Sequence, residues 1–213
     1  MAMTPHLKQI VALGALLIST AAPAEQPRAF TVISPIFGQL VSFSMPMTFV
    51  AASEKTTAAS YIREAVLKGE TVNRWTQMIT VTGAKGVAGN PKVTPETFAG
   101  SIAGGFRKAC PDTFTAEGFG ATKFAGQDAY VAVASCSRVD ASPDKHSETA
   151  LVVAIKGSAD YYTVQWAERG GSPGKTAIDT AKWQARLRQL QPIRLCPIVP
   201  GETAPYPSCL SKN

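Results

Sequence analysis

Few side chains in this chain have the type and spacing for catalysis. His146 is the single histidine after His6, within the polar run DASPDKHSE of residues 140–148. A Ser-His-Asp triad would have to use it. Such a run reads as a solvated loop, which gives a base neither burial nor an orienting partner. A metal held by two or three histidines is excluded for the same reason of supply. Ser142-Pro-Asp-Lys145 fits the S-x-x-K pattern of penicillin-recognising enzymes, and Lys175-Thr176 echoes K-T-G. Ala177 stands where the glycine belongs and no S-D-N occurs, so both read as polar loop. Gly83, Gly86 and Gly89 form no phosphate cradle, since no Lys-Ser/Thr pair follows at the required spacing. A hydrolase or ligand-modifying enzyme would be built on carboxylates such as Glu64 and Glu70, which sequence alone does not bring together. No motif implies a cofactor or a metal.

Binding chemistry has more candidates. Trp75 with Arg63 and Arg74 could form a cation–π platform for a sugar or phosphate headgroup. Lys182, Arg186 and Arg188 could dock on an anionic surface, and the proline-rich end of the chain could be a partner-binding loop. The ordinary alternatives are a core tryptophan with a solvated rim, a solvated helix face and a stapled terminus.

Cys110, Cys136, Cys196 and Cys209 make an even set with no C-x-x-C pair. In an exported chain this reads as two disulfides, not a zinc site or a thiol nucleophile. Of three possible pairings, nearness in sequence favours Cys110–Cys136 and Cys196–Cys209. Export is expected from residues 1–24: Lys8 precedes the apolar run Ile10–Ile18, and Ala22-Pro23-Ala24 fits a small-x-small cleavage site. Ile10–Ala22 spans about 13 residues, short of the roughly 20 needed to cross a bilayer, so no transmembrane anchor is expected after cleavage.

Composition and periodicity outline the scaffold that carries these side chains. The chain has 213 residues, is 45% hydrophobic and 17% charged, and carries a formal charge of +6. That is enough apolar material for one core, and it excludes global disorder and a multi-span membrane protein. Modest basicity points to anionic envelope surfaces. Nucleic acid is a poor partner outside the cytoplasm, and no basic-aromatic motif supports it. Three regions are expected: a signal peptide at 1–24, one domain at 25–194 and a proline-rich, disulfide-closed tail at 195–213.

Gln39–Met45 alternates as a strand, and Thr48–Ser53 is a weaker strand that could form a hairpin with it. Ala58–Lys68 fits either helix or strand. Arg74–Thr82 is the clearest strand, with Trp75, Gln77, Ile79 and Val81 expected on one face. Thr94, Pro95 and Glu96 open a helix along which Phe98, Ile102 and Phe106 recur. Its Gly100, Gly104 and Gly105 suggest close approach to a sheet. Strand-like runs follow at Thr113–Gly118, Ala121–Ala125, Tyr130–Cys136, Thr149–Ile155 and Tyr161–Ala167, an antiparallel meander. Asp179 caps a last helix carrying Trp183, Leu187 and Leu190. The prolines of the tail are expected to prevent any regular ladder.

The run GETVNRWTQMITVTG at Gly69–Gly83 resembles one found in small exported bacterial proteins. With it go Phe43–Pro46, Tyr61–Glu64, the helix ending at Cys110 and the hairpin Lys156–Gln165. The order of elements is similar to the PsbP-like fold. This resemblance implies an α+β fold, a mostly antiparallel sheet flanked by two helices and stapled by disulfides, and it implies a strand at Tyr61–Leu67. It brings no catalytic residues and leans toward assisting other proteins. The expected role is thus a periplasmic or secreted, non-enzymatic binding or accessory protein of the envelope, its partner an envelope protein or an anionic envelope surface. A carboxylate-based envelope enzyme and a structural part of an envelope assembly are the alternatives.

Overall fold

The computed structural model describes Met1 and residues 28–139, 145–171 and 177–210. Residues 2–24 of the expected signal peptide, Ser142, and Lys175-Thr176 lie outside the described residues. The chain runs through β1 (Ala29–Ile36), β2 (Gln39–Pro46), β3 (Phe49–Thr56), β4 (Ser60–Leu67) and β5 (Gln77–Ala84) to helix α1 (Pro95–Ala109). It continues with β6 (Phe114–Phe124), β7 (Gln127–Cys136), β8 (Ser147–Lys156), β9 (Tyr161–Gly170), helix α2 (Thr180–Leu190), β10 (Arg194–Pro197) and the single turn α3 (Pro207–Leu210).

Seven strands form one sheet in the order β3-β4-β5-β9-β8-β7-β6, and β1-β2-β10 form a second. Every pairing is antiparallel. Ser60–Leu67 is a strand despite its helical composition, because both neighbours pair with it along its length. β8 is almost continuously apolar because both its faces are covered. Leu151, Val153 and Ile155 meet Val41 and Phe43 of the small sheet and Trp183 of α2 in the main core, while Val152 and Ala154 pack under Ala99 of α1. Full burial of a residue such as Leu151 stabilises by about 2 kcal/mol. The result is a layered α+β sandwich, with α1 on one face of the large sheet and the small sheet plus α2 on the other.

The start of α1 follows the sequence closely. Thr94 accepts from the Thr97 N–H and Thr97 returns the bond to the Thr94 backbone, with Pro95 in the first turn. The glycines of α1 serve no close approach: a Cβ added at Gly100, Gly104 or Gly105 meets nothing within 4 Å. Ala99, only 1% exposed, makes the tight contact.

Other expectations are corrected. β2 and β3 do not form a hairpin, because they belong to different sheets and the chain crosses between them at Pro46. Thr113–Gly118 and Ala121–Ala125 fuse into β6, which absorbs a register shift between Gly118 and Gly120. The tail does form a ladder: Arg194–Pro197 pairs with Gln39–Ser42, with its proline at the last position. Cys110 at the end of α1 bonds to Cys136 at the end of β7, and Cys196 of β10 bonds to Cys209 of α3.

A buried polar knot joins the two sheets. Gln39 Oε1 accepts from the Ser158 N–H at 2.9 Å in the β8–β9 turn, where Gly157 leaves no room for a side chain against Gln39 and Tyr162. Asp160 accepts from the Gly86 N–H at 2.7 Å and from the Tyr162 hydroxyl at 3.2 Å. Burial, reinforced by the Asp160 carboxylate, pushes the Tyr162 phenol far above its usual range, so it stays a donor.

Candidate functional site

Side chains alternate along β9, so Glu168 and Arg169 leave it on opposite faces. Glu168 meets α2, which Asp179 caps by accepting from the Lys182 N–H at 3.0 Å. Lys182 and Arg186, one turn apart, converge on that carboxylate: Lys182 Nζ lies 2.5 Å from Oε2, and Arg186 Nη2 lies 2.7 Å from Oε1. The Arg186 guanidinium also covers the Trp166 ring, 4.5 Å from its centroid. These two cations fasten the helix to the sheet. Arg188, the third expected cation, stays exposed on the other flank of α2.

Arg169 meets the opposite face. Its guanidinium lies 3.8 Å from the centroid of Trp75 and its Nε donates to Glu148 Oε2 at 2.8 Å. Trp75 precedes β5 and packs with Val66 and Met78, not with Ile79 and Val81. The period-two pattern does not extend back to it, because the chain turns at the Thr71–Arg74 bridge. Arg63 serves the far side of the sheet, donating to Ser34 Oγ at 3.3 Å and lying 3.9 Å from Glu54 Oε2. Arg74 is exposed in the turn. The expected grouping of Arg63 and Arg74 around Trp75 is therefore replaced by Arg169.

His146 is half-buried, not loop-solvated, with Nε2 3.6 Å from Glu148 Oε2. Glu64 sits mid-strand opposite Thr80. Glu70 lies in the following turn, where it accepts from the Thr76 N–H at 3.0 Å and the Thr76 hydroxyl at 2.5 Å. Burial alone would raise its carboxyl, but those bonds hold it below the usual carboxylate range. Neither carboxylate lines the cavities described below. Among the described residues, no group of three His, Cys, Asp or Glu side chains is arranged to hold a metal.

A large concavity lies at the other end of α2. An open cavity of about 880 Å³ runs between the β6–β7 turn and the α2–β10 connection, lined in part by Phe124, Ile193 and Leu195. A second, of about 450 Å³, runs between β6 and α2, lined in part by Phe119, Leu187 and Arg188. The two share Lys123, Phe124 and Gln191 in their linings and are taken together as the groove between β6, α2 and β10. Arg194 belongs to the same lining, and its Nη1 donates to the Cys209 and Leu210 carbonyls at 3.4 Å each. Lys123 pairs with Asp128 across the β6–β7 turn.

No protein-family model and no curated protein matches the chain. Among solved structures it is similar to cyanobacterial PsbP (CyanoP) from Synechocystis sp. PCC 6803, at 10% identity and a TM-score of 0.41, over 80% of this chain and 92% of that one. It is similar at 11% identity and a TM-score of 0.38 to LpqN, involved in cell envelope biogenesis of Mycobacterium tuberculosis, over 80% of this chain and 91% of that one. It is also similar to a protein from Bacteroides thetaiotaomicron VPI-5482, at 12% identity and a TM-score of 0.39, over 76% of this chain and 46% of that one. These are distant likenesses of fold.

The groove was not legible in sequence. Its floor comes from β6, α2 and β10, and β10 was expected to be irregular. Of its lining residues, Arg188 was singled out for binding, Leu187 for the apolar stripe of the last helix and Cys196 for a disulfide. Two small signals pointed there: Arg194 two residues after Pro192, and Lys123-Phe124 at a strand end.

Proposed function

We propose that the chain is exported, loses residues 1–24, and serves in the periplasm or outside the cell as a binding or accessory protein of the envelope. The mature chain is one domain over 25–194, with 195–213 stapled to it. It engages an envelope protein or an anionic envelope surface, and the groove between β6, α2 and β10 is its contact surface. The observation that carries this reading is that open groove, lined by the partly exposed Phe119 and Leu187 and by Arg188 and Arg194, with no Asp or Glu among its lining residues. Two disulfides support an oxidising compartment. No helix among the described residues is long and apolar enough to cross a membrane.

A photo-crosslinking residue placed at Gln184 in the groove, and in a control at Lys55 on the far edge strand, tests the reading in the exported fraction. A discrete adduct from position 184 and none from position 55 is expected. The same adducts from both positions, or none from 184, would overturn it.

A further inference from the structure

Resting on that reading, we infer that the groove takes an extended acidic segment of a partner polypeptide, its carboxylates alternating with apolar side chains. Three observations converge. The base of the space is apolar, with Phe119 and Leu187 partly exposed and Phe124, Ile193 and Leu195 buried beneath it. The charged side chains in the lining are Arg188, Arg194 and Lys123, the last already paired with Asp128, and no Asp or Glu is among the lining residues. Among the described residues no carboxylate lies within ion-pairing distance of Arg188 or Arg194, whereas Lys182 and Arg186 are neutralised by Glu168. Arg194 donates to the Cys209 and Leu210 carbonyls, which orient it.

Dimensions decide the form of the occupant. The β6 wall from Phe119 to Phe124 is about 20 Å long at roughly 3.3 Å per residue, room for about six residues of extended chain. The β6–β7 pairing shifts register between Gly118 and Gly120, which bends β6 at the start of this wall. The occupant therefore sits against side chains of β6 and α2 and does not continue the ladder. A small free anion would leave the apolar floor unused. A second copy is disfavoured by the formal charge of +5 that remains once Lys8 is removed with residues 1–24, against a cationic rim.

The test uses the exported, disulfide-bonded chain and a fluorescent, end-blocked peptide alternating Glu and Val, read by anisotropy. The Glu peptide should bind with strong salt dependence, and its Gln-for-Glu counterpart about tenfold more weakly. R188E/R194E should lose about tenfold for the Glu peptide and gain affinity for the Lys–Val counterpart. Because Arg194 also touches the tail, the exposed single variant Arg188→Glu serves as a second arm, with a loss of about threefold. Equal binding of Glu and Gln peptides, or no saturable binding at millimolar peptide, would overturn the inference. So would phosphatidylglycerol vesicles bound through Arg188 in place of peptide, or a groove-mediated dimer that the peptide does not dissociate. The Gln184 crosslink separates the two levels: no adduct removes the groove as a binding surface, whereas an adduct on a non-acidic segment removes only the acidic occupant.

Discussion

Glu168 holds two cations of α2 at once, with its side chain only 15% exposed. Glu168→Ala would strand Lys182 and Arg186 against the sheet and should cost about 2–3 kcal/mol, seen as a lower urea midpoint at constant slope. Glu70 offers a pH-linked case. Its folded pKa is depressed, so its contribution is complete above the unfolded value of about 4.3 and is lost as pH falls through the folded value. Calorimetry between pH 6 and pH 3 should show a steeper fall in Tm for the wild type than for Glu70→Gln. The charged residues themselves were legible in sequence, but their partners were not. Lys182 and Arg186 were visible as helix cations, yet their counter-charge lies on another element. Trp75 was visible as a cation acceptor, yet strand pairing across β5 and β9 decides that Arg169 covers it, not the nearer Arg74.

Among the elements, α1 carries three glycines with open space at their Cβ positions. Gly100 is exposed, so Gly100→Ala should stabilise by about 0.8–1 kcal/mol, measured by chemical denaturation; a loss of stability would mean the helix needs that glycine after all. Cys196 and Cys209 lie 13 residues apart and tie α3 to β10. Replacing both by Ser should cost about 3 kcal/mol in the chain-entropy model and open the tail to proteolysis before the large sheet unfolds. α1 could be delimited from sequence because its stop and start signals are local: Thr94-Pro95 at one end, Cys110-Pro111 at the other. β10 could not, because four residues ending in proline become a strand only by pairing with β2. The Ser60–Leu67 strand is a case of tertiary pairing outweighing helical composition.

For the molecule as a whole, both edge strands of the large sheet break register, β3 between Ala51 and Ser53 and β6 between Gly118 and Gly120. Such interruptions oppose edge-to-edge association. Sedimentation velocity should therefore show a monomer at tens of micromolar; a concentration-dependent dimer would contradict this. The α+β architecture was legible because the apolar runs of β7, β8 and β9 are long and follow one another. The division into two sheets was not, because it depends on where Pro46 redirects the chain. That division has a temporal consequence. β2 receives its second neighbour, β10, from the far end of the polypeptide. During synthesis, Leu40 must wait uncovered until Cys196 and Cys209 arrive, so a chain stalled before Arg194 should be more readily digested by a protease than the full chain.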